Sequence, residues 1–168
     1  KIFFNKELPV INMKDLEAAI IASNATGLSI HCHILETELA KEAIEMMIEK
    51  SFDLSKFVWA HACDGADQQL MEKLVSKGGW LGFDLIRSSE DYPKFYDLIK
   101  DAIDKGYQGK ILLSQDYDFY QEVQKPADEN RNGSLFTGFM PYCLDRGLSE
   151  ETMIEILTQN PANFYDID

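Results

Sequence analysis

The sequence predicts an α/β fold of parallel strands covered by helices, and more narrowly the second half of a (β/α)8 (TIM) barrel. Apolar strand-like runs alternate with amphipathic helical runs at a spacing of roughly 30 residues, as in successive βαβ units. Several strands end in a polar residue, at the edge where such barrels place their active sites. A doubly wound sheet also binds ligands at strand ends, but it needs no polar residue after nearly every strand.

The length of the chain supports only part of a barrel. A complete (β/α)8 barrel takes about 250 residues, whereas this chain has 168. We therefore expect residues 1–168 to form the C-terminal half of a single barrel domain, from the end of strand 4 to the last helix. Because the chain begins with a lysine rather than methionine, we expect it to be a piece of a longer or processed protein.

Nearly unbroken apolar runs, which are typical of buried parallel strands, define the predicted strands. These strands cover residues 1–4, 28–33, 57–63, 80–85 and 110–116. The helices are predicted from the helical spacing of apolar residues and from capping residues at their ends. Asn12 is the predicted N-cap of the first helix and Gly27 its C-terminal stop signal, and Ser149 is the predicted N-cap of the last helix. The predicted helices cover residues 13–25, 38–50, 66–77, 92–105, 135–146 and 149–158. Residues 117–134 are predicted to be a long polar loop.

Composition narrows the class of protein. The apolar content of 45% predicts a globular domain, and the net charge of −13 argues against nucleic-acid binding. No apolar run approaches the roughly 18 residues needed to span a bilayer, and no signal peptide is visible. The three cysteines are odd in number and include no CxxC pair, which favours reduced thiols in a cytoplasmic protein.

Histidines and carboxylates follow the predicted strands. His33, His61 and Asp116 each end an apolar run, and imidazole and carboxylate are standard ligands of divalent metals. His31 shares the strand face of His33 because strand side chains alternate. Either the two histidines bind a metal together, or His31 lies one layer deeper and makes hydrogen bonds. Cys32, on the opposite face, is expected in the core.

Four segments in order resemble the phosphotriesterase family of the amidohydrolase superfamily: residues 25–33 (ATGLSIHCH), 60–64 (AHACD), 113–116 (LSQD) and 160–164 (NPANF). Each segment alone is a weak signal, but the ordered set spans the chain. The resemblance implies a (β/α)8 barrel with two divalent metal ions, zinc first and manganese or cobalt as alternatives. It also implies that His33 and His61 hold one metal, that Asp116 holds the other, and that a carboxylated Lys1 bridges both. In this register His31 is not a ligand.

The chain departs from the family beside the site. Asp64 matches an acid of the family's proton relay, but Leu85 stands where the relay histidine would be, and Arg87 follows two residues later. A guanidinium suits an anionic substrate group. Three residues of the loop after the last strand are further candidates for substrate binding: Tyr117, Lys125 and Arg131.

These features predict a metal-dependent hydrolase. A metal-bridging hydroxide would attack the substrate, and Asp116 would take the proton and pass it to the leaving group. We expect a lactonase that opens a sugar lactone, phosphorylated or not, and Leu85 together with Arg87 favours a lactone that carries an anionic group. A phosphotriesterase or phosphodiesterase, or a non-catalytic binding protein on the same scaffold, is the alternative. The expected partner is a small anionic substrate, and the expected assembly, where there is one, is a homodimer.

Overall fold

The computed structural model describes residues 2–4, 7, 9–65, 67–116 and 133–166, and five strands form one parallel sheet within them. The strands are β1 (Ile2–Phe3), β2 (Ile30–His33), β3 (Phe57–Ala60), β4 (Trp80–Phe83) and β5 (Ile111–Leu113). Each strand pairs with the next one along the chain, in the order β1-β2-β3-β4-β5. The strand order runs in one direction, as it does in the wall of a (β/α)8 barrel. In a doubly wound sheet the strand order would reverse at one point.

Helices connect the strands. They are α1 (Pro9–Thr26), α2 (Thr37–Glu49), α3 (Ala62–Gly65), α4 (Gln68–Ser76), α5 (Tyr92–Asp104), α6 (Met140–Asp145), α7 (Glu150–Ile154) and α8 (Asn160–Tyr165). A π-helical segment, Leu135–Phe139, leads into α6, and another, Glu155–Gln159, joins α7 to α8. Short 3-10 turns, Leu54–Lys56 and Gln108–Lys110, precede β3 and β5. No helix in the described ranges is long and apolar enough to cross a bilayer.

The core lies on both faces of the sheet. All four residues of β3 and all four of β4 are buried, which explains why these strands are apolar without alternation. On the helix side Trp59 is fully buried, and its indole Nε1 donates to the carbonyl oxygen of Ile34 at 2.9 Å. Val58, Trp80 and Leu112 form a separate cluster with Phe164 from α8. The helices thereby hold the sheet from two sides.

Several predicted boundaries were wrong. The first helix begins at Pro9, a residue that suits a first helical turn, so Asn12 is an internal residue and not the N-cap. The last helical run continues to Tyr165 rather than ending at residue 158, because a π-helical turn precedes Pro161. The strands are also shorter than predicted, so that His61 and Asp116 lie just beyond strand ends. Gly27 is confirmed as the stop of α1, with φ 76° and its N–H bonded to the Ser23 carbonyl oxygen.

Candidate active site

Polar side chains meet at the carboxyl edge of the sheet. His33 is the last residue of β2, His61 follows β3, and Asp84 follows β4. The strand register pairs His33 with Ala60 and Ala60 with Gly82, which places these three ends level with one another. Parallel strands side by side thus bring together residues that are far apart in the sequence.

The two predicted histidine ligands face each other. His33 Nδ1 lies 2.8 Å from His61 Nε2, and the rings meet edge to face with centroids 4.3 Å apart. Asp116 Oδ2 lies 3.8 Å from the same His61 Nε2. Two of the predicted metal ligands, His33 and Asp116, therefore lie beside a third, His61. The fourth, Lys1, lies outside the described residues.

The backbone at this edge turns into the left-handed region. His61 has φ 66°, Leu85 φ 75° and Asp116 φ 45°. Such a conformation costs about 1–2 kcal/mol for a residue with a side chain, so the surroundings must hold it in place. A backbone hydrogen bond from Ile86 N to the Ser114 carbonyl oxygen, 3.2 Å long, spans the loops after β4 and β5.

Asp84 connects the ends of three strands. Its Oδ2 accepts a hydrogen bond from the backbone N–H of His61 at 2.8 Å, and its Oδ1 accepts from Ser114 Oγ at 2.6 Å. Gly82 gives this carboxylate room, since a Cβ there would lie 3.1 Å from Asp84 Oδ2 and 3.0 Å from the Ala60 Cα. The prediction assigned no role to Asp84 or Ser114, although Asp84 carried the same signal as the histidines, a polar residue after an apolar strand.

Arg87 reaches across from the loop after β4 to the chain after β5. Its Nε donates to the Gln115 carbonyl oxygen at 3.1 Å, and its Nη2 donates to the carbonyl oxygen of Asp116. The same Nη2 lies 3.8 Å from Asp116 Oδ2. Asp91 Oδ2 accepts from the backbone N–H of Arg87 and orders the loop that carries it. Arg87 therefore lies beside the predicted metal ligand Asp116 and contacts its main chain.

Asp116 is not enclosed in a buried strand as predicted. It lies three residues past β5, and 34% of its side chain is exposed. The partial exposure lowers the cost of its charge, and His61 and Arg87 lie beside it. Its carboxylate is thus open to solvent on one side while the imidazole of His61 is almost wholly buried.

His31 makes a hydrogen bond, as the second of the two sequence interpretations expects. Its Nδ1 lies 3.2 Å from the hydroxyl of Tyr165, which comes from α8. Burial raises the pKa of Tyr165 above its ordinary value, and the negative charge of Asp84 raises it further, so this hydroxyl keeps its proton at neutral pH. Cys32 is fully buried, and burial raises the pKa of its thiol to about 12, which suits a core residue.

The remaining predicted site residues cannot be placed. Tyr117, Lys125 and Arg131 lie outside the described residues. Asp64 belongs to α3, but its side chain lies outside the described part of the structure. These four residues remain predictions.

The donor set fits a divalent metal but is incomplete. Two imidazole nitrogens and a carboxylate oxygen suit zinc, manganese or cobalt. Among the described residues, the buried Nδ1 of His61 has no hydrogen-bond partner. It lies 3.6 Å from Asp84 Oδ2, on the side of the ring away from His33. Within the described residues no three His, Cys, Asp or Glu side chains are close enough to hold a metal by themselves. A metal here would need further donors, such as the predicted Lys1 carbamate.

Comparison with known proteins identifies the family. The chain is 26% identical over 156 residues to the phosphotriesterase homology protein of Escherichia coli (strain K12), covering 88% of this chain and 51% of that protein. It is 27% identical to the phospho-furanose lactonase of Mycoplasmopsis synoviae (strain 53), over 94% of this chain and 47% of that protein. It is 24% identical to an aryldialkylphosphatase of Saccharolobus solfataricus, covering 90% and 52%. The chain thus spans about half the length of the curated relatives it matches.

The fold comparison agrees with this result. The solved structure of the Escherichia coli phosphotriesterase homology protein superposes with a TM-score of 0.80 at 24% identity, over 92% of this chain and 54% of that one. This match confirms the predicted partial (β/α)8 barrel. The family model described as "Phosphotriesterase family" matches residues 6–165. With nearly its whole length matched, this chain belongs to the phosphotriesterase family.

Proposed function

We propose that the protein carrying this chain is a metal-dependent hydrolase that opens lactones, with a phosphorylated sugar lactone as the favoured substrate. The observation that carries the proposal is the convergence of His33 Nδ1, His61 Nε2 and Asp116 Oδ2 at the carboxyl edge of the sheet. This is the edge at which (β/α)8 enzymes build their active sites. The residues that would hold the metal ions are His33, His61, Asp116 and a carboxylated Lys1.

Bound divalent metals polarise a carbonyl and make hydroxide available near neutral pH. Asp116 would carry the proton transfer, and this role is supported by a carboxylate that is partly open to solvent and borders His61. Its Oδ2 would accept the proton of the attacking water and return it to the ring oxygen that leaves the acyl carbon. The lactone and one water thereby become one hydroxy acid, with the proton balanced.

Two observations support an anionic lactone over other substrates. Arg87 brings a guanidinium beside Asp116. By the family resemblance, Leu85 stands where the relay histidine would be. Among the relatives, one is named a phospho-furanose lactonase, and the Escherichia coli structure was solved with phosphate in its active site. A phosphoryl group and a guanidinium make bidentate hydrogen bonds.

A phosphotriesterase or phosphodiesterase is the second candidate. One relative at 24% identity is named an aryldialkylphosphatase, and a site that polarises a carbonyl can also polarise a phosphoryl oxygen. A non-catalytic binding protein on the same scaffold is the third, because fold alone does not determine function.

A substrate panel separates the candidates. The intact protein, loaded with zinc or manganese, is assayed on simple lactones, phosphorylated furanolactones and aryl dialkyl phosphate triesters. We expect the phosphorylated furanolactones to be opened with the highest kcat/KM. Preference for the triesters would favour the second candidate, and protein that binds no metal and carries an unmodified Lys1 by mass spectrometry would favour the third.

Asp116→Asn is the matched control for this panel. Asparagine tolerates the left-handed backbone of residue 116 and keeps the size of the side chain, but it cannot take a proton. We expect the variant to fold and to lose turnover of every substrate in the panel. Full turnover by Asp116→Asn would contradict the proposed mechanism whichever substrate is preferred.

A further inference from the structure

The carboxylate of Asp84 lies against the side of His61 that faces away from His33. It is a buried group, only 6% exposed, and a buried carboxylate is costly unless hydrogen-bond donors surround it. Two donors are in place, Ser114 Oγ on Oδ1 and the His61 backbone N–H on Oδ2. The third group at its surface is His61 Nδ1, 3.6 Å from Oδ2.

The imidazole of His61 has two different environments. Its Nε2 faces His33 Nδ1 and Asp116, whereas its Nδ1 is buried without a hydrogen-bond partner and faces only the Asp84 carboxylate among the contacts described. A neutral imidazole carries one proton, and a carboxylate is a good acceptor for an N–H and a poor neighbour for a nitrogen lone pair. The proton of His61 is therefore favoured on Nδ1, which leaves the lone pair of Nε2 directed toward the site.

We propose that Asp84 is a positioning residue that holds His61 as its Nδ1–H tautomer and so presents Nε2 as a metal ligand. This inference rests on the proposed function for the metal and deepens it by one residue. Asp84 acts on His61 in two ways, through the backbone N–H that it holds in the left-handed turn and through the charge that it places beside Nδ1. Histidine ligands of metals commonly donate their other N–H to a carboxylate, and loss of that partner weakens metal binding.

The tautomer also assigns the hydrogen bond between the two histidines. If Nε2 of His61 is an acceptor, the 2.8 Å contact requires His33 Nδ1 to be the donor in the metal-free protein. For His33 Nδ1 to bind a metal, that proton would have to move to Nε2 of the same ring, whereas His61 would need no such change. His61 therefore already has the tautomer that metal binding requires, whereas His33 must change its tautomer.

Asp84→Asn separates charge from shape. The amide oxygen can still accept from the His61 backbone N–H, and the amide nitrogen can donate to Ser114 Oγ, whose hydroxyl can accept as well as donate. The contacts that hold the fold therefore have replacements, while the negative charge beside His61 Nδ1 is gone. Ser114→Ala is the matched control, because it removes a bond to Asp84 and leaves the charge in place.

Nuclear magnetic resonance of the intact, metal-free protein labelled with nitrogen-15 in its histidines tests the tautomer directly. At about pH 8.5, well above the ordinary histidine pKa of about 6.5, we expect the wild type and Ser114→Ala to show His61 as the Nδ1–H form. We expect Asp84→Asn to lose that form in favour of Nε2–H. A wild-type His61 in the Nε2–H form would overturn the inference without any variant, and so would an unchanged tautomer in Asp84→Asn.

Zinc affinity, measured by competition with a chelator, supplies the second measurement. We expect Asp84→Asn to bind zinc about 10- to 100-fold more weakly than the wild type. Ser114→Ala should stay within about threefold of the wild type, because the charge of Asp84 beside His61 Nδ1 remains in place. Equal affinities of wild type and Asp84→Asn would overturn the inference. A wild type that binds no zinc would instead overturn the proposed function, and the histidine resonances would then decide alone whether Asp84 sets the tautomer.

Discussion

At the carboxyl edge of the sheet, three of the described non-glycine residues take left-handed backbone conformations, and one buried imidazole nitrogen has no hydrogen-bond partner among the described residues. At the amino edge of the same strands, the polar groups are paired. Asn160 Nδ2 donates to the carbonyl oxygens of Gln108 and Ile111, both at 2.8 Å, and Trp80 Nε1 donates to the Ser55 carbonyl oxygen at 3.0 Å. One sheet therefore has a strained edge and a well-satisfied edge.

The difference between the two edges indicates where the fold tolerates destabilising features for the sake of function. Left-handed residues and unsatisfied buried groups each destabilise a fold and persist where the surroundings hold them for a function. In (β/α)8 barrels the carboxyl edge carries the chemistry and the amino edge carries stability. If that division holds here, substitutions at the two edges should have separable effects on activity and on unfolding.

The largest effect is expected for His61→Asn at the carboxyl edge. Asparagine accepts a φ of 66° and fits beneath Asp84, but it offers no imidazole nitrogen to a metal. We expect hydrolysis by the intact protein to fall at least about 100-fold, equal to about 2.7 kcal/mol in the barrier, with a parallel loss of bound zinc measured by elemental analysis. His31→Asn, one layer below, is the control and should keep its zinc. Full turnover by His61→Asn would contradict the assignment of the chemistry to the carboxyl edge.

The strand-end residues were predictable, and their arrangement was not. The runs that end in His33, His61 and Asp116 are visible in the sequence because each begins with mostly apolar residues and closes on a side chain that can bind a metal. The left-handed turns at Leu85 and Asp116 were hidden, because neither is the glycine that usually marks such a turn.

Hydrogen bonds between neighbouring loops could not be predicted from the sequence either. The contact of Arg87 with the carbonyl oxygens of residues 115 and 116 depends on how two neighbouring strands align, and no local pattern records it. The role of Lys1 came from the family resemblance alone, because an ordinary lysine is not a metal ligand, and it remains a prediction. The sequence does not reveal that α1 begins at Pro9, because proline is as typical of a loop as of a first helical turn.

Asn160→Ala tests the amino edge. The substitution deletes one buried and one partly buried hydrogen bond and leaves two carbonyl oxygens without that donor, which should cost about 2 kcal/mol at about 1 kcal/mol each. We expect the urea midpoint of the intact protein to fall while zinc content and kcat/KM stay at wild-type values. Asn163→Ala, which removes only an exposed contact with Gln159, is the matched control and should change stability by less than about 0.5 kcal/mol. Lost activity with unchanged stability in Asn160→Ala would reverse the assignment of the two edges.

Arg87→Lys asks what the guanidinium does at the carboxyl edge. Lysine keeps the positive charge but cannot donate to the carbonyl oxygens of residues 115 and 116 in a fork. We expect kcat to fall about tenfold, equal to about 1.4 kcal/mol, because Asp116 loses its support. The KM for a phosphorylated lactone should rise modestly, because lysine keeps the charge but makes no bidentate hydrogen bonds with a phosphate. Arg87→Met, which also removes the charge, should raise that KM further. An unchanged kcat in Arg87→Lys would leave substrate binding as the only role of Arg87.

Ser51 gives the smallest and most selective test, because it is the one left-handed non-glycine residue described away from the carboxyl edge. It follows the end of α2 with φ 54°, and the neighbouring Phe52 N–H bonds back to the Met47 carbonyl oxygen, as in the helix endings that usually carry glycine. Ser51→Gly should therefore stabilise the intact protein by about 0.5 kcal/mol, the strain relieved less the extra freedom of glycine in the unfolded chain. Urea unfolding measures this gain, and turnover should not change. A lower kcat in Ser51→Gly would mean that backbone strain at Ser51 also supports the active site. Strain could then no longer be assigned to the carboxyl edge alone.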